Sequence, residues 1–142
     1  MTVKATAATT DGSFSLVKQW GREGAAPPWH IHRPNDEIFL VFEGHISGLV
    51  RDGDGEVSEF PSGPGDTSYL PKGTEHSFRL DEESEVLVTT FQPGSENYFV
   101  ELETPVSDYE LPPESGPTRE KMADVAAVSE RYGMEITGPP PE

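Results

Sequence analysis

Cysteine is missing from all 142 residues. That excludes disulfide frameworks, thiolate nucleophiles and Cys-ligated zinc or iron–sulfur sites, so any metal must be held by His and carboxylates. Basic residues are scarce: 10 Lys and Arg stand against 26 Asp and Glu, for a net charge of −16. Nucleic acids and anionic lipid surfaces are bound mainly through Lys and Arg, so this balance sets aside nucleic acid and membrane as partners. No apolar run approaches the roughly 20 residues that cross a bilayer. Met1 to Thr10 also lacks a charged n-region and an apolar h-region, which makes the cytoplasm the expected location.

Turn formers are plentiful, with 14 Gly and 14 Pro. A chain of this length can bury a core without a covalent staple and reads as one domain with many turns. The negative charge concentrates late: residues 81–142 carry 15 acids and 3 bases. Runs such as Asp81-Glu82-Glu83 read as solvated turns and a solubility device.

Short β-rich segments recur at close spacing: Phe14 to Trp20, Glu37 to Phe42, His45 to Arg51, Glu56 to Phe60, Thr67 to Leu70, His76 to Leu80, Glu85 to Phe91 and Tyr98 to Glu103. Turn clusters separate them, which is the pattern of an all-β sandwich or small barrel. One helix is expected, from about Thr118 to Tyr132, with Met122, Val125, Ala126, Ser129 and Tyr132 on one stripe and Gly133 as its stop. A Pro-rich stretch, Pro105 to Pro117, precedes it. The tail from Thr137 to Glu142, with three successive prolines, is expected neither to continue a helix nor to enter a ladder. The expected organisation is an N-terminal segment over 1–13, a barrel over 14–103, and a Pro-rich connection, helix and tail over 104–142. Nothing resembles a helix-turn-helix ahead of the β region.

Three of the four histidines form a pattern with Glu37. In His30-Ile31-His32, side chains two apart on an extended strand point to one face, and Pro27-Pro28 biases the approach toward extended geometry. Glu37 follows past the turn formers Arg33-Pro34-Asn35-Asp36, so a chain reversal brings its carboxylate back beside the imidazoles. His76 would join from a distant strand. Three nitrogens and one carboxylate suit a divalent transition metal, with Fe, Ni, Mn, Co, Cu and Zn all chemically admissible. His45, at a hairpin tip outside this pattern, is expected to be exposed and without a chemical role.

The sequence Gly24-x5-His30-x-His32-x4-Glu37-x6-Gly44, followed by Gly65-x5-Pro71-x-Gly73-x2-His76, resembles both signature motifs of the cupin superfamily. The second departs at its end, where Leu80 stands in place of a frequent Asn. The resemblance covers roughly residues 14–103. It implies a small antiparallel jelly-roll β-barrel holding one divalent metal on His30, His32, Glu37 and His76. Pro28-x-His30-x-His32, Asp36-Glu37, Pro71-x-Gly73-Thr74-x-His76-x-Phe78 and the tail Arg131-Tyr132-Gly133-Met134-Glu135 are similar to single-domain quercetin 2,3-dioxygenase-like cupins. That similarity implies O2-dependent cleavage of a flavonol, with Glu37 taking the substrate's hydroxyl proton while also binding the metal, and a homodimeric assembly.

If Glu37 points inward, the two-residue strand period sends Phe39 and Val41 inward as well, and His76 brings Phe78 and Leu80. These four residues are the expected lining of an apolar pocket suited to a flat organic substrate, and each is equally readable as barrel filling. Arg33, Arg51 and Arg79 fall in turns or at outward positions, so no basic cluster awaits a phosphate. Three functions stay open at this level: an oxygenase; a non-oxidative metal enzyme such as a cyclase, isomerase, dehydratase or decarboxylase, using the metal as Lewis acid; and a barrel that only captures a small molecule.

Overall fold

The computed structural model describes residues 1–90, 92–102 and 119–142, with the Arg119 side chain excluded. Ten strands and two helices follow one another: β1 Thr2–Ala5, β2 Ser15–Gly21, β3 Trp29–His32, β4 Glu37–Glu43, β5 Ile46–Arg51, β6 Val57–Ser62, β7 Thr67–Leu70, β8 Glu75–Leu80, β9 Ser84–Thr90, α1 Glu96–Leu102, α2 Arg119–Arg131 and β10 Met134–Gly138. The strands form two five-stranded sheets, ordered β1-β2-β9-β4-β7 and β10-β3-β8-β5-β6, with every pairing antiparallel. This is the double-sheet jelly roll expected from the sequence.

Alternation along the strands places the core. On β4, Glu37, Phe39 and Val41 are buried while Ile38, Leu40 and Phe42 are not, the parity expected for a strand with one face covered. Register carries that face across the first sheet: Phe39 lies opposite Val88, and Val41 opposite Val86. The second sheet answers with Ile46, Phe78 and Leu80, and with Phe60 packed against the same cluster. Val41, Ile46, Leu80 and Val86 pack together in this core, and toward the Glu37 end the inner faces carry the three histidines among apolar side chains.

Two turns fix how the strands enter this core. Gly44 holds φ 77° between β4 and β5, where a Cβ would lie 2.6 Å from the Glu83 carbonyl oxygen, so only glycine fits. Gly73 holds φ 83° ahead of β8, and its N–H donates to the His32 carbonyl at 2.8 Å. The turn before His76 is thereby tied to the end of β3.

Two expectations are corrected. The run Tyr98 to Glu103 is not a strand: residues 98–102 belong to α1, and Glu103 lies outside the described residues. Tyr98 and Leu102 are spaced one helical turn apart, and the turn at Gly94-Ser95 starts the helix through the bonds Asn97 N–H to Gly94 and Tyr98 N–H to Ser95. The tail does enter a ladder. Thr137 and Gly138 are the last residues of β10, which pairs with β3 as far as Gly138 opposite Trp29, and the proline run starts only beyond it. The N-terminal segment also contributes a strand, because β1 pairs with β2. The expected helix is present as α2, which ends at Arg131 and packs on β10 and α1 with Val128 and Ser129 buried. Pro105 to Pro117 and Thr118 lie outside the described residues, as does Phe91.

Candidate metal centre

His30 and His76 face each other directly across the β3–β8 ladder, and β10 lays Ile136 opposite His30 and Met134 opposite His32. All three imidazoles therefore share the inner face of the second sheet. Glu37 comes from the other sheet, flanked in its ladder by Leu70 and Thr90. One ligand atom from each of His30, His32, Glu37 and His76 lies within 4.8 Å of all the others. The ring centroids of His30 are 5.0 Å from His32 and 4.4 Å from His76. Exposure is 6% for His30, 6% for Glu37 and 2% for His76, so the group is nearly dry.

Hydrogen bonds orient the rings. His30 Nδ1–H donates to the Pro28 carbonyl at 2.7 Å, and His76 Nδ1–H donates to the Thr74 carbonyl at 2.9 Å. A carbonyl only accepts, so Nδ1 carries a proton in both rings and Nε2 is the nitrogen turned toward the centre. His76 Nε2 faces Glu37 Oε2 across 3.1 Å, and His32 Nε2 faces the same oxygen across 3.4 Å. A lone pair and a carboxylate oxygen at that separation repel unless a proton or a metal cation lies between them. Backbone carbonyls that fix the outer nitrogen while the inner one converges with a carboxylate are the surroundings in which imidazole serves as a metal ligand. The donor set fits a divalent transition ion.

The charge states agree with this. Burial, reinforced by the neighbouring His76, pushes the His30 pKa down from 6.5 to about 3, so the imidazole is neutral across the physiological range. Burial alone would raise Glu37, but the His32 and His76 imidazoles outweigh it and hold the carboxyl well below its usual range. Neutral imidazole and ionised carboxylate are the forms that bind metal.

A cavity of about 140 Å³ opens onto His30, His32 and Glu37. Phe39, Phe78 and Val88 wall it from within the sandwich, and Tyr98, Phe99 and Tyr132 from the helical side. Met134 and Ile136 of β10 complete that side. Among the described residues no Lys or Arg lines it. Arg33 is engaged with Glu135, Arg51 with Glu75, and Arg79 with Asp81 and Glu59.

Of the four expected lining residues, the structure places Phe39 and Phe78 on this cavity. Val41 is 1% exposed in the core, and Leu80 faces a second cavity at the other end of the sandwich. His45 is exposed and contacts Glu82, away from the centre. Sequence reasoning missed the helical wall, β10, Gln19 and Asn35. The apolar alternation of Met134 and Ile136 was a readable signal for β10. For Asn35 the sequence offers only its position two residues before Glu37. Its Nδ2 donates to the Asp36 carbonyl at 3.2 Å, and its buried Oδ1 has no partner among the described residues.

A double-sheet jelly roll carrying a His/His/Glu/His cluster on its inner faces defines a class of small metal-site barrels. The family described as Cupin domain matches residues 22–95, and the chain belongs to the cupin family. It is 30% identical over 141 residues, 97% of its length, to quercetin 2,3-dioxygenase of Bacillus subtilis (strain 168), of which it spans 40%. It is 32% identical over 75 residues to acireductone dioxygenase of Rhodopseudomonas palustris (strain TIE-1), a match covering 52% of this chain and 44% of that protein. The chain thus spans less than half the length of either relative. Among solved structures, KdgF from Halomonas sp. shares the fold with a TM-score of 0.56 at 21% identity, over 68% of this chain and 82% of the other. Oxalate oxidase in complex with the substrate analogue glycolate has a TM-score of 0.54 at 21% identity, over 63% of this chain and 50% of the other. No helix among the described residues is long and apolar enough to cross a membrane.

Proposed function

We propose that this chain is a metal-dependent dioxygenase that cleaves a flavonol-like phenolic or enolic small molecule with O2. The observation that carries the reading is the buried His30/His32/Glu37/His76 cluster opening on an apolar, aromatic-walled cavity that no Lys or Arg among the described residues lines. Similarity to quercetin 2,3-dioxygenase along 97% of the chain, helix and β10 included, supports the same choice of chemistry. A cavity with no Lys or Arg among its described lining residues favours a neutral substrate over a polycarboxylate or a phosphate ester.

His30, His32, Glu37 and His76 would hold the metal, which when bound supplies Lewis acidity toward a substrate hydroxyl and redox chemistry toward O2. Glu37 presents a carboxylate oxygen to the same space and accepts the hydroxyl proton, a role that its ionised state equips it for. Phe39 and Phe78, whose rings meet edge to face at 5.3 Å, keep water from the inner side of the site. The reading includes a homodimer in the cytoplasm, checked by sedimentation of the whole chain and by cell fractionation.

The test is oxygen uptake by protein reconstituted separately with Fe, Ni, Mn, Co, Cu and Zn, offered a panel of flavonols and related enols, with His30→Ala as the blank. Uptake that needs both the substrate and an intact His30 is the expected result. No uptake with any metal shown to be bound at these residues would overturn the oxygenase assignment, and products formed under strict anaerobiosis would replace it with Lewis-acid chemistry.

A further inference from the structure

Gln19 is the misfit of the barrel interior. On β2 it shares the inward parity of Ser15 and Val17 and lies opposite Val86, in the level of the core where Val86 in turn pairs with Val41. Gln19 is half-buried, and a carboxamide on such an apolar face carries a desolvation cost once a ligand covers it unless something bonds to it. Among the described residues the Gln19 side chain has no hydrogen-bond partner. It borders two spaces at once: the cavity that opens on the metal-ligating cluster, and the second cavity of about 200 Å³ beyond it. Pro27 and Phe78 are the other two residues common to both. The register sets the distance. Glu37, Thr90 and Ser15 share one cross-sheet row, and Gln19 lies four residues further along β2, about 13 Å at the usual strand rise.

We propose that the Gln19 carboxamide is a specificity-determining contact, bonding a hydroxyl on the part of the substrate remote from the metal-ligating cluster. This rests on the dioxygenase reading for the identity of the substrate, and on the cavities and the unpartnered amide for the contact. The amide offers two donors and an acceptor, so it serves a hydroxyl in either direction. A ring bearing a hydroxyl satisfies Gln19, whereas a bare ring strips the amide of water and returns nothing. The free Oδ1 of Asn35 in the same cavity is a second acceptor, near the Glu37 end.

The experiment titrates metal-loaded protein under anaerobic conditions with two probes: quercetin, and 3-hydroxyflavone, which keeps the flavonol oxygen pair and lacks the further ring hydroxyls. Wild type is expected to bind quercetin at least tenfold more tightly. Gln19→Leu is expected to lose about tenfold for quercetin, the worth of one hydrogen bond, and less than twofold for 3-hydroxyflavone, with metal content unchanged. Gln19→Met, closer in length, repeats the measurement should the leucine variant fold poorly. Equal losses for both probes, or no loss for either, overturn the proposal and leave water as the partner of Gln19. Oxygen uptake with 3-hydroxyflavone separates the two readings. Uptake without Gln19-dependent discrimination removes only the Gln19 contact. Discrimination without uptake keeps the contact and removes the dioxygenase. Failure of wild type to bind either probe removes both.

Discussion

His30 is neutral where an unfolded histidine would be charged, and the cost of that choice is measurable. In the folded protein its pKa is pushed down to about 3, first by burial, while in the unfolded chain it returns to 6.5. Between those values the unfolded chain binds a proton that the folded one refuses, so stability rises with pH through this window and is lost as pH falls below about 6.5. From pH 8 to pH 5, a group that titrates at 6.5 when unfolded and not at all when folded removes about 2 kcal/mol. The figure depends little on the folded value so long as that lies well below 5. The perturbation is His30→Asn, which cannot titrate here and keeps an N–H able to reach the Pro28 carbonyl. The assay is urea unfolding at several pH values with a chelator present, followed by Trp fluorescence, since Trp29 is 5% exposed and precedes His30. The stability of wild type minus that of the variant should fall by about 2 kcal/mol from pH 8 to pH 5. Parallel curves for the two proteins would refute the reasoning, because His30 would then be free to protonate in the fold.

Other perturbations follow from the packing. Gly48→Ala places a Cβ 2.1 Å from a ring carbon of Phe60, which must swing out of the core; a loss of about 1–3 kcal/mol in urea unfolding is expected, partly recovered by adding Phe60→Leu. Arg51 bonds Glu75 at 2.7 Å and lies 4.0 Å over the Trp29 ring, so Arg51→Gln should cost about 1 kcal/mol, with Arg51→Lys intermediate because it keeps the charge and loses the flat stacking. Added metal should raise the melting temperature by mass action, by the equivalent of about 2.7 kcal/mol at 100 times its Kd, and His76→Ala should abolish the rise in calorimetry.

The reach of the sequence can be judged residue by residue. His30, His32 and Glu37 were legible as a group because strand period and a turn suffice to bring them together, and the inward parity of Phe39 and Val41 followed from the same period. The depth of the cavity was not legible: Val41 has the right parity, but the two sheets close on it one level below Phe39, a fact of packing between strands far apart in sequence. Tyr98 to Leu102 misled because a short apolar run satisfies helix and strand alike. Residues 134–138 carried a short alternating signal in Met134 and Ile136, but so brief a run beside a proline tract becomes a strand only because β3 supplies an edge to pair with. Gln19 falls at an inward position that the pattern of β2 would assign to an apolar residue.

The pairing of β10 with β3 also bears on the order of events during synthesis. His30 and His32 emerge early, yet the strand that carries them is held on one side by β8 and on the other by residues made more than a hundred positions later. Until that late strand is available, β3 has a bare edge on which nothing fixes the spacing of its two rings. A metal-ready arrangement of these rings therefore waits until Met134–Gly138 has been made, and contacts so distant along the chain close slowly. A nascent chain halted before Met134 would bear all four ligand residues and still lack the strand that holds two of them in place.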